Sequence, residues 1–145
     1  MTPPPGTPGI AAGLAHDLRA HLSLCEEALA LACGENKALA AADAYLPDEF
    51  DQKRKNLLPR LNQSLILLRN WRQAWQTIKP AERAGFPEVK ALFQVVQGLL
   101  MRVLLLDREN QQALLRRGLL PARHVPALAA QQPHCVADLY RRHVR

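Results

Sequence analysis

The histidines and cysteines are the side chains best suited to hold a metal ion. His21 and Cys25 are four residues apart, so on a helix they would share one face, and His134 and Cys135 could add ligands. His16 and His21 are five residues apart and point away from each other around a helix. The chain also has no CxxC pair of the kind that builds zinc sites. We therefore predict no metal and no cofactor, with Cys25 a small core residue.

The carboxylates and nucleophiles do not predict an enzyme. Glu26 and Glu27 are adjacent and diverge around a helix, whereas general acid–base catalysis needs groups that converge in a cleft. Five further acids gather near a predicted helix start, which favours negative charge: Glu35, Asp43, Asp48, Glu49 and Asp51. No nucleophile elbow, GxxxxGK loop or GxGxxG loop occurs in the sequence. We predict a protein that binds rather than catalyses.

The charge is basic but unevenly spread. Lys and Arg number 19 against 13 Asp and Glu, a formal net charge of +6. After Leu115 one acid, Asp138, faces six arginines: Arg116, Arg117, Arg123, Arg141, Arg142 and Arg145. Such a basic terminus is usually solvated, and Trp71 and Trp75, which could stack on bases, fall within an apolar helical stripe. Nucleic-acid binding is therefore the less favoured interpretation.

The sequence predicts a cytoplasmic protein without a membrane span. Its most apolar stretch, residues 99–106, is interrupted by Arg102 and followed by Asp107, short of the roughly 18 apolar residues that a span requires. The N-terminal residues lack the basic and continuous apolar regions of a secretory signal. The odd count of 3 cysteines fits reduced thiols.

Apolar residues repeat at alternating intervals of 4 and 3 residues through three long segments, which predicts three helices over about 10–45, 47–78 and 87–118. Proline and glycine predict disorder over residues 1–9 and a loop between the second and third helices. The pattern passes through Gly34 unshifted, which favours one long first helix over a break there. It also passes through Pro59, which indicates a kink rather than an end.

This layout predicts an all-α fold: a long antiparallel helical hairpin or three-helix coiled-coil-like bundle over residues 10–120, followed by an irregular tail. The third helix has the widest apolar stripe and is expected to be the most buried. The Pro-interrupted basic tail, residues 121–145, keeps several apolar residues: Val125, Leu128, Val136, Leu139 and Tyr140. It either folds back on the bundle or becomes ordered against a partner.

Polar residues interrupt the apolar stripes at Asn36, Asp43, Arg54, Ser64, Asn110 and Arg117. A polar residue in an apolar seam costs stability but can fix helix register and oligomeric state. Alternatively, the stripe widens at these positions into an exposed groove. We interpret Asn110 as the start of a less tightly closed end that faces a partner.

Three segments resemble the FlgN family of flagellar export chaperones: EEALALACGENKALAAAD in the first helix, DQKRKNLLPRL in the second and LLLDRENQQALL in the third. Members are cytoplasmic helical proteins that hold hook–filament junction subunits for type III export. The resemblance implies that the third helix and the tail bind a terminal amphipathic helix of the client. It implicates Leu106, Asn110, Ala113, Leu114, Leu119 and Leu120, together with Val125, Leu128, Val136, Leu139 and Tyr140 of the tail.

Two alternatives remain beside the chaperone hypothesis. The first is a structural or self-associating coiled-coil adaptor that forms a homo-oligomer. It would use the same apolar stripes. A basic nucleic-acid-binding protein is the weaker alternative, and its affinity would fall steeply with salt.

Overall fold

The chain folds into helices, as its apolar periodicity predicts. The computed structural model describes residues 6–41 and 45–118, and this part of the chain contains no strand. Its elements are α1 (Thr7–Ala40), α2 (Pro47–Gln76), α3 (Pro80–Arg83) and α4 (Pro87–Arg116). The predicted all-α bundle is confirmed.

The helix boundaries follow from proline and glycine. Each helix has a proline in its first turn, where its missing N–H donor is not needed. After α4 the chain turns at Gly118, whose φ of 71° suits glycine. The predicted stop of the third helix at Gly118 is therefore confirmed.

Several predicted boundaries need correction. The first helix starts at Thr7 rather than at residue 10, because Pro8 fits its first turn. Residues 7–9 of the segment predicted to be disordered are therefore helical, and residues 1–5 lie outside the described residues. It ends at Ala40 instead of residue 45, and the loop expected before Pro87 contains the single-turn helix α3. Gly34 and Pro59 both lie inside continuous helices, as the unbroken pattern predicted. The tail, residues 121–145, lies outside the described residues.

The first helix is the central element of the bundle. It packs along its length against both α2 and α4, whereas α2 and α4 approach each other less closely. Contacts of Asp17 with Trp71 and of Glu35 with Arg54 make α2 antiparallel to α1. A hydrogen bond between Asn36 and Asn110, at the far end from Pro87, makes α4 parallel to α1.

Alanine explains why α1 is central. Its buried face includes four alanines, which let neighbouring helices approach closely: Ala11, Ala15, Ala28 and Ala32. Ten residues of α1 are buried, against seven of α4 and six of α2. The expectation that the third predicted helix is the most buried is therefore wrong, because α1 lies between two neighbours and α4 packs on one side only.

The core divides into two clusters along the bundle axis. One joins all three long helices near their middle: Ala28, Leu57, Leu61, Leu65 and Val103. The other lies near the start of α1, where aromatic rings close over it: Ala11, Leu14, Ala15, Leu18 and Val89, with Trp71, Trp75, Phe86 and Phe93 packed against them. The two tryptophans thus pack on the core, as their stripe positions predicted.

Candidate functional site

The side of α4 that points away from the core carries several exposed apolar side chains, with the exposed Arg102 among them. Val95, Met101 and Leu105 are 51%, 58% and 64% exposed. With Gly98 they follow one another at intervals of 3, 3 and 4 residues, which places them on one side of the helix. We call these four residues the outer face of α4.

This face exists because α4 is apolar around most of its circumference but is buried on one side. Residues 99–106 include one charged residue, Arg102, yet among them Val103 alone is buried. A helix that is apolar all round is normally enclosed on all sides. Contiguous exposed apolar surface marks an interaction site in most soluble proteins.

The same feature makes α4 the one helix of the described residues that is long and apolar enough to cross a membrane by length and composition. Only 17% of the residues in its most apolar 18-residue window are buried inside the bundle. A core helix of a soluble protein can pass the same test. The absence of a membrane span therefore stays a prediction.

The residues implicated by the family resemblance divide between core and surface. Asn110 is fully buried and Leu114 is buried, while Leu106 and Ala113 are half-buried along the flank of α4. The other seven lie outside the described residues: Leu119, Leu120, Val125, Leu128, Val136, Leu139 and Tyr140. A partner-binding role for this set stays a prediction.

Asn110 has two hydrogen-bonding partners on α1. Its side-chain amide donates to the carbonyl oxygen of Ala32 over 3.0 Å, and its side-chain oxygen accepts from the amide of Asn36 over 2.9 Å. A buried amide satisfied in this way fixes the register of two helices. In this structure the residue thus joins α4 to α1, the first of the two interpretations that the sequence allowed.

A second polar network joins α1 to the start of α2. The guanidinium of Arg54 contacts the buried carboxylate of Glu35 and donates to Asp51 over 2.7 Å. Tyr45 donates to Glu35 over 3.0 Å. Burial, and then the negative charge of Glu35, raise the pKa of Tyr45 to about 12. Glu35 and Asp51 thus serve the packing of α1 on α2, whereas Glu49 pairs with Lys53 on the surface of α2 and Asp43 lies outside the described residues.

His21 lies inside the bundle, not in a cleft. Its Nδ1 is 2.8 Å from the hydroxyl of Ser64, and burial lowers its pKa to about 4. Cys25, predicted to be a core residue, is buried. Within residues 6–41 and 45–118 no three His, Cys, Asp or Glu side chains are grouped so as to hold a metal ion.

Sequence reasoning missed a groove beside α3. Trp75, Phe86 and Phe93 line it, and Arg83 and Lys90 lie at its edge. A signal was available, since 4 of the 7 aromatic residues fall between positions 71 and 93. The stripe analysis assigned the tryptophans to the core and gave the loop no structure, so it did not bring these side chains together.

Comparisons with protein-family models, with curated proteins and with solved structures find no match to this chain.

Proposed function

We propose that this protein is a cytoplasmic helix-binding chaperone of the FlgN type, which holds an amphipathic terminal helix of a hook–filament junction protein for flagellar type III export. The observation that carries the proposal is the exposed outer face of α4, formed by Val95, Gly98, Met101 and Leu105. The resemblance of the three sequence segments supplies the class of client.

The outer face suits a helical partner. Helix-in-groove recognition uses apolar side chains repeated every three or four residues, and this face has that spacing. Gly98 has no side chain and faces open space, since a Cβ atom built there would have no heavy atom within 4 Å. A partner helix could therefore approach the backbone of α4 closely at this residue. Glycine in mid-helix costs about 1 kcal/mol relative to alanine, and no contact within the described residues accounts for it. A partner helix packed closely over Gly98 would account for it.

The half-buried residues Leu106 and Ala113 extend the apolar surface toward the end of α4. In this proposal the client helix lies along α4 and the tail beyond Gly118 adds the remaining contacts. Binding, rather than turnover, is the activity.

The test is binding of a junction protein from the same source, with and without its terminal helices, to the full-length chain. We expect binding that requires a terminal helix. Leu105→Glu places a charge on the most exposed side chain of the outer face and should weaken binding at least about tenfold, the effect of losing roughly 1.4 kcal/mol.

The matched control is Leu67→Glu on α2, where the same change is made at a leucine that is 42% exposed. It should leave binding unchanged, and circular dichroism should show that both variants keep their helices. Failure of the junction protein to bind, or equal binding by the Leu105→Glu variant, would reject the proposal.

The self-associating adaptor is the second candidate, and the same exposed leucine favours it. A second copy packed on the outer face would cover Leu105 as well as a client would. Sedimentation velocity distinguishes the two: a dimer that Leu105→Glu converts to a monomer, with no binding of a junction protein, supports the adaptor.

A further inference from the structure

The groove beside α3 is separate from the outer face of α4. It has a volume of about 750 Å³ and lies where α2, α3 and the start of α4 meet. Its walls include Trp75, Phe86 and Phe93, all half-buried. The rings of Trp75 and Phe86 meet edge to face, with centroids 6.5 Å apart and planes at 71°. The groove thus has a rigid aromatic floor that apolar side chains can contact.

The charged side chains that line this groove are all positive. Arg83 and Lys90 line it, and no acidic residue does. The two nearby acids are engaged with α1 instead: Thr7 donates to Glu82 over 3.0 Å, and Arg19 pairs with Glu88. The groove therefore presents positive charge beside aromatic rings.

Of the two cations, Arg83 is the better placed to pair with a negatively charged partner. Its Nε atom is buried and has no hydrogen-bond partner among the described residues. Neither Arg83 nor Lys90 forms an ion pair within that part of the chain. A carboxylate in the groove would pair with the positive charge of the half-buried Arg83 and gain a charge-assisted hydrogen bond.

We propose that this groove binds an acidic amphipathic segment of a partner protein, with an apolar side chain on the aromatic floor and a carboxylate on Arg83. Charge complementarity argues against the chain's own tail as the occupant. The tail beyond Gly118 is basic, with Arg123, Arg141, Arg142 and Arg145 against the single acid Asp138. The proposal does not depend on the outer face of α4.

The test measures fluorescence anisotropy with the full-length protein and two labelled peptides. One has leucines on one helical face and glutamates on the other, and the second has every glutamate replaced by lysine. We expect the acidic peptide to bind, with an affinity that falls as salt rises, and the basic peptide to bind at least about tenfold more weakly.

Arg83→Gln should weaken binding of the acidic peptide about tenfold, and Lys90→Gln, at an exposed position, about threefold. Lys55→Gln, an exposed lysine on α2 far from the groove, is the matched control and should bind like the unmodified protein. Lys90→Gln keeps the test decisive if Arg83→Gln disturbs the turn.

Three outcomes would overturn the proposal: equal affinity for the two peptides, unchanged affinity in both groove variants, or self-association that Arg83→Gln abolishes, which would identify a second copy as the occupant. Leu105→Glu should leave binding of the acidic peptide unchanged, so failure of the chaperone proposal and failure of this one can be distinguished.

Discussion

The two ends of the bundle are held together by different chemistry. At the aromatic end, where α1 and α4 begin and α2 finishes, Leu14 and Leu18 pack with Val89 under the rings of Trp71 and Trp75. At the polar end, where α1 and α4 finish and α2 begins, the helices are joined by hydrogen bonds and an ion pair. The residues involved are Glu35, Asn36, Arg54, Asn110 and Arg117. The guanidinium of Arg117 donates to the carbonyl oxygen of Leu39.

Apolar packing and buried hydrogen bonds contribute differently to the fold: the first mainly to its stability, the second mainly to the alignment of its helices. Apolar burial contributes about 25 cal/mol per Å² and is tolerant of small shifts in register. Buried hydrogen bonds contribute little net stability when made but cost much when one partner is lost, so they select one alignment of the helices. We infer that the aromatic end is held mainly by apolar packing and that the polar end sets the register.

The largest effect is expected from breaking the ion pair at the polar end. Arg54→Met leaves the buried carboxylate of Glu35 without its cation and should cost about 3–5 kcal/mol in the free energy of unfolding, measured by urea denaturation. Adding Glu35→Leu should recover part of that loss, because both charges are then gone. If the single and double variants unfold at the same urea concentration, the pair does not set the stability of this end.

The control for that variant is a surface ion pair. Arg60 donates to both carboxylate oxygens of Glu27, one of them over 2.9 Å, and the pair is exposed to solvent. Arg60→Met should therefore shift the urea midpoint far less than Arg54→Met does.

A large pH effect is expected from His21, which lies between the two ends. Its folded pKa of about 4 is below its unfolded value of 6.5, so the unfolded chain takes up the proton first. Stability is therefore full above pH 6.5 and falls as the pH drops toward 4, by about 3 kcal/mol. Denaturant titrations at several pH values should show this loss, and His21→Gln should reduce it.

The exposed His16 provides the comparison for His21. His16→Gln should retain the full loss of stability between pH 6.5 and 4. The assignment to His21 would be wrong if the His21→Gln variant followed the same pH profile as the unmodified protein.

A smaller effect is expected at the register contact between α1 and α4. Asn110→Leu removes the bonds to Ala32 and Asn36 at nearly constant volume and should cost about 2 kcal/mol. If the polar end sets register, the variant should also show broadened or doubled NMR signals in α4. Gln112→Leu, at an exposed position, should stay within about 0.5 kcal/mol and keep sharp signals.

The smallest pair of effects compares two glycines. A Cβ atom at Gly13 would lie 2.4 Å from the ring of Trp71, whereas at Gly98 it would meet nothing within 4 Å. Overpacking outweighs the gain in helix propensity at the first site, so Gly13→Ala should destabilise the aromatic end by about 1 kcal/mol. Gly98→Ala should stabilise the fold by about 1 kcal/mol. If both variants shifted the melting temperature in the same direction, the close packing at Gly13 would be contradicted.

Much of the fold could be predicted because helical periodicity is a local property. The stripe from Phe50 through Leu57, Leu61 and Ser64 is buried along α2 as expected. On α1 the repeat of 4 and 3 residues runs through Leu18, Leu22, Cys25, Leu29, Ala32 and Asn36, and it predicts burial less accurately. Leu22, Leu29 and Asn36 are only half-buried, whereas His21 and Ala28 are buried, because α1 contacts two neighbours and the face that they cover differs from the predicted stripe.

The candidate binding surfaces were harder to predict, because the exposure of a side chain depends on whether another helix packs over it. Met101 and Leu105 belong to the most apolar stretch of the chain, and no local feature of the sequence indicates that α1, α2 and α3 leave them exposed. Likewise, Arg83 and Phe93 lie ten residues apart on two helices, and the turn through α3 brings both to one groove. The hydrogen bonds of Asn110 to α1 also required a tertiary partner 74 and 78 residues away.

The sequence by itself determined that the chain is helical, where its three long helices lie, and that Gly34 and Pro59 do not end them, since these features depend on neighbours within one or two turns. The tertiary structure decided which helix is central, that the buried Glu35, Arg54 and Asn110 have partners, and which apolar side chains of α4 stay exposed among the described residues. Those properties depend on how close the helices approach, and the small residues of α1 bring α2 and α4 to it rather than to each other.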